Sequence, residues 1–131
     1  MGGTDWGTEM KHCLIVDDSS VIRKVAKRIL AKQDLAVAEA NSGADAIDKC
    51  RYAMPDYIIV DSGLPDMAAE EFIAQVKQLA GTEPMPRISV CMVEVDVPAI
   101  MRAKRAGAVG YCMKPFTRPQ LMERFRELTA V

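Results

Sequence analysis

Only one histidine, His12, occurs in the chain, so no second imidazole is available to share a metal ion. It stands at the entrance to an apolar run, where a structural or solvent-facing role is expected. The four cysteines, Cys13, Cys50, Cys91 and Cys112, include no C-x-x-C pair. Three fall inside apolar runs and Cys50 lies on the apolar side of a helical pattern, so buried reduced thiols are expected in place of a disulfide or a zinc site. No apolar run approaches the ~20 residues of a membrane span. The N-terminus lacks the basic and apolar regions of a secretory signal, and Trp6 stands where a myristoylation pattern needs Ser or Thr. An excess of one charge is missing too. With 17 basic against 18 acidic residues the net charge is −1, which supplies no general attraction to nucleic acid or membrane. The expectation is a cytoplasmic protein with no direct nucleic-acid partner and no membrane partner.

What is present is one domain's worth of apolar sequence: 131 residues, half of them hydrophobic, enough to bury a core. Residues 1–10 read as a flexible leader in which Trp6 has no evident partner, and residues 11–131 as the domain. Short apolar runs at 12–16, 35–39, 57–60, 88–92 and 109–112 have strand character. Amphipathic segments separate them. Val21, Ile22, Val25, Ala26, Ile29 and Leu30 recur at helical spacing, with Arg23, Lys24, Lys27 and Arg28 on a face expected to be merely solvated. A second helix starts at Ser42 with Asp45 three residues on. A third starts near Ala69, with Glu70 and Glu71 at its positive end. Asp96 and Pro98 open a fourth, which Gly107 closes, and Thr117 with Gln120 forms a capping box for the fifth. Neither an internal repeat nor a low-complexity segment is found. Alternating strands and helices predict an α/β fold: a doubly wound, flavodoxin-like, five-stranded parallel sheet of order 2-1-3-4-5 with five helices.

In such sheets chemistry collects at the carboxyl ends of the strands. Asp17 and Asp18 end the first strand, Asp61 ends the third in "YIIVDSGLPD", and Lys114 follows the fifth in "GYCMKPF". Adjacent like charges near a low-dielectric core repel, so a partner is needed. Taken alone, Asp17 and Asp18 read equally well as solvated acids at a helix start. Four charged groups at matching strand ends read better as a hard-cation site of Mg²⁺ type, with Lys114 free to contact an anion.

The stretches "LIVDDSSVIRK", "IIVDSGLPDM" and "AKRAGAVGYCMKPF" resemble, in order and spacing, the receiver domain of bacterial two-component response regulators, including the chemotaxis regulators. The resemblance runs from Lys11 onward. It implies a phosphorylatable signalling module, not an enzyme turning over a separate substrate. Asp61 would be the phosphoacceptor. Asp18, Asp61 and the backbone carbonyl of Gly63 would hold Mg²⁺, Asp17 would act through a metal-bound water, and Lys114 would contact the phosphoryl group. Lys114-Pro115 is similar to the family's cis peptide. The implied partners are a sensor histidine kinase or phosphotransfer protein and a downstream protein target, with an output surface on the fourth helix, fifth strand and fifth helix. Counting back from Lys114 puts the family's phosphoryl-contacting Thr or Ser at Met92, and its switching aromatic at Tyr111; a methionine there reads either as a packing substitution that leaves phosphotransfer intact or, the preferred reading, as an altered switch. Ala69 stands where the family commonly has glycine.

Three other readings carry their own marks. A pseudo-receiver would dock partners regardless of phosphate. A flavodoxin-like cofactor binder needs a Gly-, Ser- or Thr-rich phosphate loop after the first strand, where this chain has two acids. A haloacid-dehalogenase-type phosphatase needs D-x-D where this chain has Asp17-Asp18.

Overall fold

Strands buried on both faces must be apolar nearly throughout, and the central runs here are. The computed structural model describes residues 10–130; residues 1–9, with Trp6 and nearly all of the expected leader, and residue 131 lie outside it. Five strands, β1 (Lys11–Val16), β2 (Leu35–Ala40), β3 (Tyr57–Asp61), β4 (Arg87–Met92) and β5 (Gly110–Met113), form one sheet of order β2-β1-β3-β4-β5. All four pairings are parallel. This is the doubly wound, flavodoxin-like order that the alternation predicts. Helices α1 (Ser20–Leu30), α2 (Gly43–Tyr52), α3 (Ala69–Ala80) and α4 (Val97–Ala106) supply the four crossovers, and α5 (Arg118–Thr129) follows β5.

The pleat sorts alternate strand residues onto two cores. Leu14, Val16, Ile58, Val60, Ile88 and Val90 face Ile47 of α2, the fully buried Phe72, Ile73 and Val76 of α3, and Ala103 of α4. Cys13, Ile15, Ile59 and Cys91 face Ala26, Ile29 and Leu30 of α1 and Leu121 and Phe125 of α5. Either core exists only because the other face is also covered. Among the described residues no helix is long and apolar enough to cross a membrane.

Local signals set the helix starts. Ser42 accepts from the Asp45 N–H and Asp96 from the Ala99 N–H, as the sequence predicts. Ser19 caps α1 by accepting from Ile22. At α5 the reciprocal box forms, with Thr117 Oγ1 accepting from the Gln120 N–H and Gln120 Oε1 from the Thr117 N–H. Thr117→Ala should therefore lower stability by about 1 kcal/mol, read as a shift in urea midpoint at unchanged slope. A shift of zero would mean that water replaces the cap fully.

The α3 start has no side-chain cap, since Ala68 stands at that position. The start of α2, by contrast, is held from far along the chain. Asp66, in the loop after β3, accepts from the Gly43 and Ala44 N–H groups at 3.0 and 2.9 Å, and these bonds hold its carboxyl below the ordinary range. Met67 packs so closely over Gly43 that a Cβ there would lie 2.6 Å from its side chain. Together they fasten the β3–α3 loop to α2.

Candidate functional site

Parallel strands of this order carry the ends of β1, β3, β4 and β5 to one rim, and the charged residues after them follow. Asp17, directly after β1, is 2% exposed; Asp61, the last residue of β3, is 8% exposed; Asp18 lies in the open. One carboxylate oxygen from each of the three lies within 4.8 Å of the others. Lys114 reaches in from the end of β5, its Nζ donating to Asp17 Oδ2 at 2.7 Å and to Asp61 Oδ1 at 2.8 Å. Burial disfavours the charged lysine, but hydrogen bonds and charge from Asp17 and Asp61 outweigh it and hold its pKa above the ordinary 10.5. The Lys114–Pro115 peptide is cis, as the resemblance implies.

Backbone and side-chain bonds set the acid pair in place. The Asp17 N–H donates to Ala40 O, its Oδ1 accepts from the Ser19 N–H at 2.9 Å, and its carbonyl accepts from Arg23 at 2.8 Å. Arg23 also donates to Glu39 Oε1 at 3.0 Å. So one residue of the supposed solvated face of α1 is instead a tie between β1 and β2. Burial would raise the Glu39 carboxyl, but Arg23, with Lys24 and Lys27, holds it low.

The donor set fits a hard divalent cation. Three carboxylates carry more negative charge than one ammonium cancels, and the three clustered donors are oxygens, the ligand type that hard cations such as Mg²⁺, Ca²⁺ and Mn²⁺ prefer. Lys114 occupies Asp17 Oδ2 and Asp61 Oδ1, which leaves Asp18 and the second oxygen of Asp61 to face outward. Gly63 follows in the exposed turn after β3, with Asp61 Oδ2 3.8 Å from where its Cβ would stand. Asp18 and Asp61 are thus the side chains that could hold an ion, with Asp17 behind them, and the Gly63 carbonyl is the further ligand that the resemblance implies.

Strand register bears on two of the sequence expectations. Met92 does not face the acids: with Val60, Val90 and Ala103 it belongs to the core under α3 and α4. Its neighbour Cys91, in register with Asp61, lines a small internal space with Asp17, Asp61 and Lys114. Neighbouring residues on a strand point to opposite faces, so Met92 packs into one core while Cys91 stands on the side of the acids. Nor are all four thiols free. Cys91 and Cys112 are register partners on adjacent strands, with Cα atoms 4.6 Å apart, and form a disulfide, whereas Cys13 and Cys50 are free and buried. A separation of 21 residues carries no hint of that pairing. Strand register, known only after the fold, would reveal it. Tyr111 is half-buried on β5 with the Arg124 guanidinium 4.7 Å from its ring centroid.

Comparison with known proteins points one way. A family model described as the response regulator receiver domain matches residues 13–126. The chemotaxis protein CheY of Thermotoga maritima is 30% identical over 120 residues, covering 91% of this chain and 98% of that protein. The chemotaxis protein CheY of Bacillus subtilis is 32% identical over 111 residues, covering 84% of this chain and 90% of its own. The solved structure of chemotaxis response regulator CheY4 of Vibrio cholerae matches with a TM-score of 0.80 at 29% identity, over 91% of this chain and 98% of that one.

Proposed function

This chain belongs to the response regulator receiver domains, and from that premise we propose that Asp61 accepts a phosphoryl group from the phosphohistidine of a sensor kinase or phosphotransfer protein. The observation that carries the reading is the convergence of Asp17, Asp18, Asp61 and Lys114 at one rim of the sheet, with Asp61 in contact with the lysine.

A carboxylate has no proton to lose, so Asp61 needs no general base. One of its oxygens attacks phosphorus, the bond from phosphorus to the donor nitrogen breaks, and the electron pair leaves with the imidazole. Lys114, already 2.8 Å from Asp61, can turn its ammonium to the oxygens of the arriving group without leaving Asp17. Positioning and charge therefore carry most of the catalysis. Bound Mg²⁺ would supply the positive charge that offsets the crowded carboxylates and the transferred group. The chain is accordingly a phosphoacceptor that assists its own modification.

The aspartyl phosphate adds charge at the junction of β3, β4 and β5, where it can bias two arrangements of the elements beyond. A downstream protein target would read the change on α4, β5 and α5. Val97 and Met101, exposed on α4, and the Tyr111–Arg124 contact between β5 and α5 support that surface.

Phosphoryl uptake from a small acyl phosphate, followed by intact mass, should require Mg²⁺. Removal of the ion with a chelator should stop it, and uptake that persists would refute the site. Asp18→Ala should weaken Mg²⁺ binding by about tenfold or more in a calorimetric titration, because the ion demands near-octahedral oxygen geometry. Equal affinity in both proteins would remove Asp18 from the ligand set.

A further inference from the structure

Cys91 and Cys112 have no part in the phosphoryl transfer described above, yet their disulfide lies beside it. Cys91 is the register partner of Asp61 and lines the same internal space as Asp61 and Lys114, while Cys112 is two residues before Lys114 on β5. The bond ties β4 to β5 just where the Lys114 N–H donates to Met92 O. On its other side Cys112 lines a surface cavity of about 120 Å³ with Met113, Phe116, Gln120, Leu121 and Arg124, Gln120 lying exposed at its rim. Cys112 is itself only 2% exposed, so a small reagent in this cavity meets it at the cavity wall, on a route that does not cross the acid site. The other two cysteines are unsuited to exchange: burial pushes the Cys13 thiol up to about 12 and the Cys50 thiol up to about 11.

We propose that Cys91 and Cys112 are a redox-controlled crosslink whose reduction frees a thiol at the phosphoacceptor pocket and speeds phosphorylation of Asp61. The inference rests on the phosphoacceptor reading. A small dithiol is the reductant. Its first thiolate attacks Sγ of Cys112, forming a mixed disulfide and releasing Cys91 as thiolate; its second thiolate then displaces Cys112. Two electrons pass from the dithiol to the protein, the dithiol leaves as its own disulfide, and the two protons it gives up end on Cys91 and Cys112. The reduced Cys91 presents an S–H donor one strand away from Asp61, where the disulfide presents none. Reduction also removes the covalent tie between β4 and β5, leaving Lys114 held there by the backbone ladder alone. A weak donor gained at the transferred group corresponds to about a threefold gain in rate.

The test uses the whole chain. Alkylation with iodoacetamide under denaturing conditions should label two cysteines before treatment with a dithiol reductant and four after it. Phosphorylation of Asp61 by a small acyl phosphate with Mg²⁺ should then be about threefold faster in the reduced protein. Cys112→Ser, which cannot form the bond, should match the reduced rate with or without reductant. Four labelled cysteines before reduction, or equal rates in both redox states, would overturn the proposal. Absence of any uptake in all three samples would overturn the phosphoacceptor reading and the redox control with it, and the alkylation count separates that failure from a missing crosslink.

Discussion

Asp61→Asn should abolish phosphoryl uptake, by more than about a hundredfold, while leaving the fold intact. The amide keeps the shape of the carboxylate but lacks the anionic oxygen that attacks phosphorus. No other acid of the site can take over. Asp17 is buried, with Oδ1 held by the Ser19 N–H and Oδ2 by Lys114, and Asp18 lies in the open on the outer side of the cluster. Stability should not fall, because the substitution removes one of three mutually repelling carboxylates at the same time as one of the two partners of Lys114. Uptake is followed by intact mass with an acyl phosphate and Mg²⁺, stability by urea unfolding. Uptake by the variant within tenfold of the parent chain's would move the nucleophile elsewhere.

The second large effect is on the fold itself. Lys114→Met should destabilise the protein by about 3 kcal/mol in chelator-treated buffer, since it strands two carboxylates, Asp17 and Asp61, whose side chains are only 3% and 10% exposed. Methionine preserves much of the length of the lysine stem, so the loss reports the charge and not a cavity. The pH dependence has a definite sign. Lys114 has a folded-state pKa raised above its ordinary 10.5, so the stability it contributes is fully present below that value and is lost as pH rises through the higher folded-state value. The gap between parent and variant should therefore hold steady from neutral to mildly alkaline pH and close only beyond 10.5. Mg²⁺ should recover part of the loss, because a cation that binds only the folded state stabilises it by mass action and would supply the missing positive charge. A variant as stable as the parent in chelator would mean that the pocket's acids are solvated enough to need no partner.

Much of this could be read from residue order because the signals concerned are local or periodic. Strand runs such as 57–60 and 88–92 lie within one residue of β3 and β4, and the caps at Ser42, Asp96 and Thr117 form as their spacing predicts. The acid cluster was legible because one topological rule carries every strand end to one rim. Features that join distant segments were not. Asp66 caps α2 from more than 20 residues away, and nothing near either partner announces it. Arg23 looks like any basic residue on an exposed helix face until β2 brings Glu39 beside it. The place of Cys91 beside the pocket has the same origin. The pairing of Asp61 with Cys91 fixes which side chain of β4 lies on the side of the acids, and that register is known only once the strands are paired. The 3-10 turn at Ala31–Gln33, ended by Asp34 at a φ of 57°, carried no glycine to mark its left-handed residue.

Phosphorus should become bonded to Asp61 and to no other acid. Incubation of the whole chain with Mg²⁺ and an acyl phosphate, reduction of the acyl phosphate with borohydride and peptide mapping by tandem mass spectrometry locates that bond directly. A single modified residue, Asp61, is expected in samples containing Mg²⁺ and none in samples treated with chelator. A modification mapped to Asp17 or Asp18, or an unmodified chain despite both Mg²⁺ and donor, would contradict it.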